Sequence, residues 1–240
     1  MDFRGIRDQL RSSSSVVFFG GAGISTESNI PDFRTAGGLY NRSEFHDRRP
    51  EELLHIHTLL NEPQIFFAYY RTHLIHPEAQ PNRAHRVLAN WEKAGLLNTV
   101  ITQNIDGLHQ KAGSRNVLEL HGSAYRNYCV ECRRPATLNQ VIQSRTVPHC
   151  NHCSGMVRPD VVLYGEQLDM DVMNQAVNAV RSADFLIVGG TSLVVYPAAG
   201  LISAFSGRNL LLINKEPTVY DDRARWVIHD SIGEVLSQLA

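Results

Sequence analysis

The sequence predicts an α/β protein built on a Rossmann-like, doubly wound parallel sheet with a small inserted domain. Short apolar runs alternate with helical segments along the 240 residues, and this alternation is typical of a parallel sheet that helices cover on both faces. The first apolar run leads directly into a glycine-rich turn, and two Cys-x-x-Cys pairs interrupt the middle of the chain. The alternation defines the fold class, and the cysteine pairs mark the insertion.

The first strand is predicted at Val16–Phe19, after a short amphipathic helix. It runs straight into a turn that contains Gly21, Ala22 and Gly23. Glycines without side chains let the backbone approach a pyrophosphate, and a helix that begins near Ser25 would point its free amides at the phosphates. The turn therefore predicts a dinucleotide site.

The segment after the turn departs from an ordinary dehydrogenase. Thr26 stands where a third glycine is expected, and no second strand with an acidic end follows about 20 residues later. Pro31, Gly37 and Gly38 instead interrupt the chain. They predict a loop that folds over the ligand.

The remaining elements follow from hydrophobic periodicity. A helix rich in aromatic residues is predicted from Phe45 to about Leu74; its rings are expected in a helix core, with the lining of a pocket as the alternative. A second helix covers Ala84–Trp91, and its extension ends at Gly95. Four further strands are predicted at Asn98–Thr102, Val117–Leu120, Asp184–Val188 and Asn209–Ile213.

Polar residues follow the strands at the points where they end. Because ligands bind beyond the carboxyl ends of parallel strands, these residues should converge on one crevice. They are Ser25, Gln103, His121, Thr191 and Asn214.

The four cysteines predict a structural zinc site. They are Cys129, Cys132, Cys150 and Cys153, with seventeen residues between the two pairs. Each Cys-x-x-Cys knuckle presents two thiolates to one side of a tetrahedron, and four sulfur ligands leave no position for a catalytic water. A redox pair or chance spacing is the alternative, and a neighbouring histidine could replace one ligand. The insertion is thus expected to be a zinc ribbon.

Composition excludes several classes of function. The formal charge is −1, and no stretch resembles a signal peptide or a membrane span, so a cytoplasmic protein without membrane contact is expected, with a monomer as the default. Residues 123–159 contain five arginines and one glutamate. With four thiolates and one zinc ion, this segment has a net charge of about +2. That charge is too small to favour nucleic-acid binding.

Eight motifs follow one another along the chain. They are Gly21-Ala22-Gly23-Ile24-Ser25, Pro31-Asp32-Phe33-Arg34, Thr102-Gln103-Asn104-Ile105-Asp106, His121-Gly122, the four cysteines, Tyr164-Gly165-Glu166, Gly190-Thr191-Ser192 and Ile213-Asn214. Together they closely resemble the sirtuin pattern, from about Val16 to the C-terminus. The resemblance implies an NAD-dependent protein-lysine deacylase with a zinc module inserted into its nucleotide-binding domain. We expect a Rossmann-like NAD-binding domain from residues 1–45, 87–122 and 160–240, a helical module at 46–86 and the zinc-binding module at 123–159.

The resemblance also implies a reaction. The acyl oxygen of acyl-lysine attacks the anomeric carbon of the nicotinamide ribose, nicotinamide departs, and a ribose hydroxyl then attacks the acyl carbon. The products are lysine, nicotinamide and O-acyl-ADP-ribose, and the second attack requires a base that titrates near neutral pH. His121 matches that base, and Asn104 is implied as a second catalytic residue.

The resemblance assigns the other site residues to NAD and to the peptide. Asp106 and the backbone of Ile105 would hold the nicotinamide carboxamide, Phe33 would cover its pocket, and Arg34 would steady a phosphate or the loop. The remaining residues implied to bind NAD are Gly21, Ala22, Gly23, Ser25, Thr26, Gln103, Asn104, His121, Gly190, Thr191, Ser192, Asn214 and Ile232. The residues implied to flank a peptide that adds as a strand are Val162, Tyr164, Gly165, Glu166 and Val194.

The helical segment predicts which acyl group is removed. Sirtuins that remove negatively charged acyl groups carry a Tyr-x-x-Arg pair, and the corresponding stretch here is Phe67-Ala68-Tyr69-Tyr70, with Arg71 one position away. Without a guanidinium a buried acyl carboxylate is costly, so neutral groups, acetyl first, are expected. Two alternative functions remain: a mono-ADP-ribosyltransferase, and a non-catalytic NAD sensor with a zinc docking module.

Overall fold

The computed structural model describes residues 2–33, 38–41 and 48–240. Its strands are β1 Val16–Gly20, β2 Thr99–Thr102, β3 Val117–Glu119, β4 Gly122–Cys129, β5 Pro135–Ala136, β6 Val157–Val161, β7 Phe185–Gly189, β8 Asn209–Ile213 and β9 Trp226–Ile228. Its α-helices are α1 Phe3–Ser12, α2 Pro50–Leu53, α3 Ile56–Asn61, α4 Pro63–His73, α5 Arg83–Lys93, α6 Leu108–Ala112, α7 Leu138–Gln143, α8 Met170–Ser182 and α9 Ile232–Leu239. Short 3₁₀ helices cover Ala22–Ser28, Leu39–Asn41, Ala198–Ala204 and Asp221–Arg223.

Six parallel strands form the main sheet in the order β3-β2-β1-β7-β8-β9. Alternate residues of β1 face opposite sides, so that Phe18 packs with α1, α5 and α9, and Phe19 packs with α8 and the 3₁₀ helix at Ala198–Ala204. The chain leaves β1 toward β2 and later returns to its other side as β7. The carboxyl end of β1 is therefore the topological switch point, where such sheets bind ligands. The predicted fold class is confirmed.

A second, smaller unit packs beside the sheet. It contains the three-stranded antiparallel sheet β5-β4-β6, and its core combines Phe66, Phe67 and Tyr70 of α4 with Val157 and Val161 of β6. The aromatic residues are thus buried in a core, as expected. The three-part domain division stays a proposal; α5 spans its boundary at residues 86 and 87.

Two sequence predictions about helices were wrong, and the predicted strands differ from the observed ones by at most one residue at each end. The helix expected from Phe45 to Leu74 is three helices, α2 to α4, from Pro50 onward, because Pro63 starts a new helix and the backbone around His55 pairs with Tyr164; residues 45–47 lie outside the described residues. The helix expected to begin near Ser25 is a 3₁₀ helix that begins at Ala22, and β3 ends one residue before Leu120. Among the described residues, no helix is long and apolar enough to span a membrane.

Candidate active site

The carboxyl ends of β1 and β2 bring together three polar side chains. Ser25 donates a hydrogen bond to Asp106 (Oγ to Oδ2, 2.6 Å), and Asn104 donates to Ser25 (Nδ2 to Oγ, 3.1 Å). The second oxygen of Asp106 accepts from the backbone N–H of Leu108 at 2.9 Å, which fixes the carboxyl group at the start of α6. Ser25 thus forms one hydrogen-bonded cluster with Asn104 and Asp106, which lie 79 and 81 positions away in the sequence.

Burial raises the pKa of Asp106 above its ordinary value, while the hydrogen bonds from Ser25, Leu108 and Asn104 oppose that rise. A carboxyl group that is withdrawn from water binds an N–H donor more strongly than an exposed one does. Asp106 is therefore suited to accept a hydrogen bond from an amide group of a ligand.

Gln103 connects β2 to the turn after β7. Thr191 donates to its side-chain oxygen (Oγ1 to Oε1, 3.2 Å), and the backbone N–H of Gln103 donates to the carbonyl of Gly20 at 3.0 Å. The Nε2 atom of Gln103 is buried and has no hydrogen-bond partner among the described residues. Because a buried donor without an acceptor is costly, this amide is suited to a polar ligand in the crevice.

The glycines of the first turn allow two turns of the sheet to touch. The N–H of Gly23 donates to the carbonyl of Gly190 at 2.7 Å, and a Cβ at Gly23 would lie 2.8 Å from Gly190 Cα. A Cβ at Gly21 would lie 2.9 Å from Thr191 Cβ. The sequence predicted that these glycines let a pyrophosphate approach, and that stays a prediction. In the structure, the absence of a Cβ lets the turn after β1 pack against the turn after β7. The N–H of Gly23 already donates to a carbonyl of the chain.

His121 lies just beyond β3, beside Gln103. Its Nδ1 is 2.8 Å from the backbone carbonyl of Gln103, so Nδ1 carries the proton and donates it, and Nε2 keeps a free lone pair. Burial lowers the pKa of His121 below its ordinary value, and the bond to Gln103 partly opposes this. The imidazole is consequently neutral near pH 7 and can accept a proton at Nε2.

Apolar groups close another side of the crevice. Phe33, Ile105 and Tyr164 all pack against the core of the smaller unit, and the Phe33 ring contacts that of Tyr40 with centroids 5.7 Å apart. The backbone carbonyl of Ile105 accepts from the N–H of Ala124. Phe33 thus packs against the same core as Ile105 and Tyr164, while Arg34 lies outside the described residues.

The remaining residues predicted to bind the dinucleotide are distributed around the first turn and the C-terminal half. Thr26 donates to the carbonyl of Gly23 at 2.9 Å, and Asn214, after β8, donates to the carbonyl of Glu216 at 2.7 Å. Ala22 begins the 3₁₀ helix, and Ser192 follows Thr191 in the turn after β7. Ile232 is 4% exposed and packs in the main core, so a contact between its side chain and a ligand stays a prediction.

The segment predicted to pair with a peptide already uses much of its own backbone. The N–H of Tyr164 donates to the carbonyl of Leu54, and its carbonyl accepts from the N–H of Ile56. The N–H of Glu166 donates to the carbonyl of Leu163, and the N–H of Leu163 donates to the Glu166 carboxylate at 3.0 Å. Glu166 also forms a two-fold ion pair with Arg158 (2.7 and 2.8 Å), and Val162 donates its N–H to the carbonyl of His121.

Gly165 lies between these bonded residues in the left-handed region, with φ +88°. Val194, on the opposite loop, is 49% exposed. Of the five residues predicted to contact the peptide, Glu166 is thus occupied within the chain, and contact of the other four with a peptide stays a prediction.

Two supporting residues were not recognised as part of the site from the sequence. Asn82 is buried, and its side chain donates to the carbonyl of Ile24 at 2.7 Å and to Ser28 at 3.0 Å, which holds the 3₁₀ helix of the first turn. Asn82 also caps α5 by accepting from the N–H of His85. The sequence did not indicate Arg158 as a site residue, because its partner Glu166 is eight residues away in an irregular loop.

The four cysteines form a compact cluster. Their sulfur atoms all lie within 4.8 Å of one another; Cys129 and Cys153 are 3.4 Å apart, and Cys132 and Cys150 are 3.7 Å apart. A disulfide needs about 2.05 Å, whereas four thiolates at about 2.3 Å from one zinc ion are separated by nearly 3.8 Å. The cluster fits one tetrahedral zinc ion, as the sequence predicted; His149 and His152 are not members of it.

Comparison with known proteins identifies the family of this chain. A sequence model of the Sir2 family matches residues 21–197. The chain belongs to the Sir2 family. This result confirms the family that the sequence motifs indicated.

Individual relatives of this Sir2-family protein are similar over nearly their full length. A protein of Clostridium acetobutylicum named NAD-dependent protein deacetylase is 56% identical over 225 residues, which cover 93% of this chain and 92% of that protein. A solved Sir2 structure with a deacetylated p53 peptide and 3'-O-acetyl ADP ribose has a TM-score of 0.91 and 37% identity, and covers 100% of this chain and 97% of its own. A Sir2 structure with p53 peptide and NAD+ has a TM-score of 0.87 and 36% identity, with the same coverage.

Proposed function

We propose that this Sir2-family protein is an NAD-dependent protein-lysine deacetylase that converts acyl-lysine and NAD to lysine, nicotinamide and O-acyl-ADP-ribose. The observation that carries the proposal is the position of His121, a neutral imidazole with its Nδ1 proton held by Gln103 and its Nε2 free. The names of the relatives and the ligands of the similar structures support the same activity.

The residues of the crevice fit NAD. The buried Nε2 of Gln103 offers a donor for a ribose hydroxyl, and the Ser25–Asn104–Asp106 cluster offers a carboxylate acceptor for the carboxamide N–H. When bound, NAD supplies an electrophilic ribose carbon and nicotinamide as the leaving group. The protein contributes orientation through hydrogen bonds that already exist before binding, which lowers the entropic cost of reaching the reactive geometry.

His121 contributes a general base. Its lowered pKa keeps Nε2 unprotonated at neutral pH, and the Gln103 carbonyl prevents the ring from rotating or changing its tautomer. A base of this kind contributes about a hundred- to ten-thousand-fold in rate. Asn104, which donates to Ser25, is proposed as the second catalytic residue.

The peptide is proposed to lie between the Val162–Glu166 loop and Val194. Because Arg158 and the Leu54–Ile56 backbone already fix that loop, the peptide would meet a preformed surface and be read mainly through its acyl-lysine. Cytoplasmic location, a monomeric state and the absence of nucleic-acid binding are part of the proposal, supported by composition alone.

The acyl pocket is proposed to take neutral groups. Phe67 and Tyr70 are fully buried, and the guanidinium of Arg71 already donates to the carbonyl of Thr146 at 2.8 Å. Turnover of an acetyl-lysine peptide should exceed that of the matched succinyl-lysine peptide. Equal rates would refute this selectivity.

Mass spectrometry of peptide and nucleotide products tests the function directly. Purified protein is incubated with an acetyl-lysine peptide, with and without NAD, beside the His121→Ala variant. Lysine peptide and O-acetyl-ADP-ribose, formed only with NAD and strongly reduced in the variant, are the expected result. ADP-ribose attached to protein would favour the mono-ADP-ribosyltransferase, and NAD binding without nicotinamide release would favour the sensor.

A further inference from the structure

The hydroxyl groups of Tyr40 and Tyr164 join two sides of the crevice. Their oxygens are 3.0 Å apart, although the residues are 124 positions apart in the sequence. Both side chains are half-buried. A hydrogen bond at this depth competes less with water than one on the surface does, so it can hold the two segments in a fixed relation.

On the dinucleotide side, Tyr40 is tied to Phe33. The N–H of Tyr40 donates to the carbonyl of Phe33, and the N–H of Leu39 donates to the carbonyl of Asp32, both at 2.9 Å. The rings of Phe33 and Tyr40 are also in contact. A displacement of Tyr40 therefore moves Phe33, the residue expected to cover the nicotinamide pocket.

On the peptide side, Tyr164 is held by its backbone. Its N–H donates to the carbonyl of Leu54 at 3.1 Å, and its carbonyl accepts from the N–H of Ile56 at 2.9 Å. The following residue, Gly165, lies so close to His55 that a Cβ there would be 2.7 Å from the imidazole. Tyr164 is thus a rigid anchor within the loop that is proposed to meet the peptide.

We infer that Tyr40 and Tyr164 are positioning residues, and that their hydroxyl–hydroxyl bond couples the affinity for NAD to the affinity for acyl-lysine peptide. The inference rests on the proposed function. Because the backbone already holds Tyr164, a peptide that contacts Tyr164 and a dinucleotide that contacts Phe33 both favour the conformation in which the Tyr40–Tyr164 bond is formed. Binding of either ligand therefore strengthens the binding of the other. Thermodynamic linkage requires the two effects to be equal.

The variants Tyr40→Phe, Tyr164→Phe and the double variant remove the hydroxyl groups and keep the rings. Tyr128→Phe is the matched control for the loss of a tyrosine hydroxyl outside the Tyr40–Tyr164 pair, because Tyr128 lies in β4 with its ring against Arg133. Calorimetry measures the affinity for a non-hydrolysable carbocyclic NAD analogue with and without an acetyl-lysine peptide. The ratio of the two affinities is the coupling factor, and thermal unfolding of each variant is measured in parallel.

Each single variant should reduce the coupling factor about two- to tenfold, the range that one neutral hydrogen bond contributes, and the double variant should reduce it no further. Tyr128→Phe should leave it unchanged. Unchanged coupling in the single variants, losses that multiply in the double variant, or a loss that merely follows the melting temperature would each overturn the inference. Failure of the wild-type protein to deacetylate the peptide would instead refute the proposed function itself.

Discussion

Replacement of Gly23 by alanine tests how the first turn is built. Gly23 has an ordinary backbone conformation, since it is absent from the residues with positive φ, so alanine introduces no backbone strain of its own. The new Cβ would lie 2.8 Å from both Cα and O of Gly190. Because these are backbone atoms of the turn after β7, they cannot rotate away as a side chain could.

The cost follows from two contacts. Overpacking of this kind costs about 1–3 kcal/mol, and separating the turns weakens the bond from the Gly23 N–H to the Gly190 carbonyl, which contributes about 1 kcal/mol. Gly23→Ala should therefore lose about 2–4 kcal/mol of unfolding free energy. In a chain of this size, each kcal/mol lowers the melting temperature by about 2–4 °C.

Gly200→Ala provides the matched control, because Gly200 also lies in a 3₁₀ helix and its nearest foreign atom is 3.9 Å away, on the ring of Tyr196. It should be neutral or slightly stabilising. Thermal unfolding of both variants makes the comparison, and the Michaelis constant for NAD should rise in Gly23→Ala alone. Equal melting temperatures for the two variants would refute the assignment of Gly23 to packing between the turns.

Three further predictions concern His121, the zinc cluster and two buried histidines. His121→Ala should lower kcat about a hundred- to ten-thousand-fold and still bind NAD. In the wild type, the pKa of His121 is lowered, so kcat/KM should fall with acid only below pH 6.5; a fall that begins above pH 7 would contradict the role of His121 as the base. Cys150→Ser should lose bound zinc and unfold, since zinc binding at a structural site can contribute about 10 kcal/mol or more to the free energy of folding. Elemental analysis should still find one zinc ion per chain in the control His152→Ala, and a folded, active Cys150→Ser protein would exclude a structural zinc site. Burial lowers the pKa of His85 to about 3 and that of His109 to about 4, so below about pH 6.5 the unfolded chain binds protons that the folded chain does not. The free energy of unfolding, measured with denaturant, should therefore fall from pH 6.5 toward pH 4 by about 1.4 kcal/mol per pH unit for each histidine, and a flat profile would contradict their burial.

The candidate site could be predicted from the sequence where local patterns are sufficient. Gln103, His121 and Thr191 each follow an apolar run, and the carboxyl ends of parallel strands share one edge of the sheet. Their convergence was therefore predictable without knowledge of the connections. The zinc cluster was predictable for a similar reason, because a Cys-x-x-Cys knuckle places two sulfur atoms by local geometry alone.

The sequence by itself thus determined five strands of the main sheet, the zinc ligands and the edge of the sheet at which the polar residues meet, because short apolar runs and short cysteine spacing act over a few residues. Only the tertiary structure decided that Gly23 packs on Gly190, that the backbone around His55 pairs with Tyr164, and that Tyr40 bonds to Tyr164. These contacts join segments far apart in the chain, and their register depends on how the two cores pack. Local propensity contains no information about that register, since it acts only between residues that are neighbours along the chain.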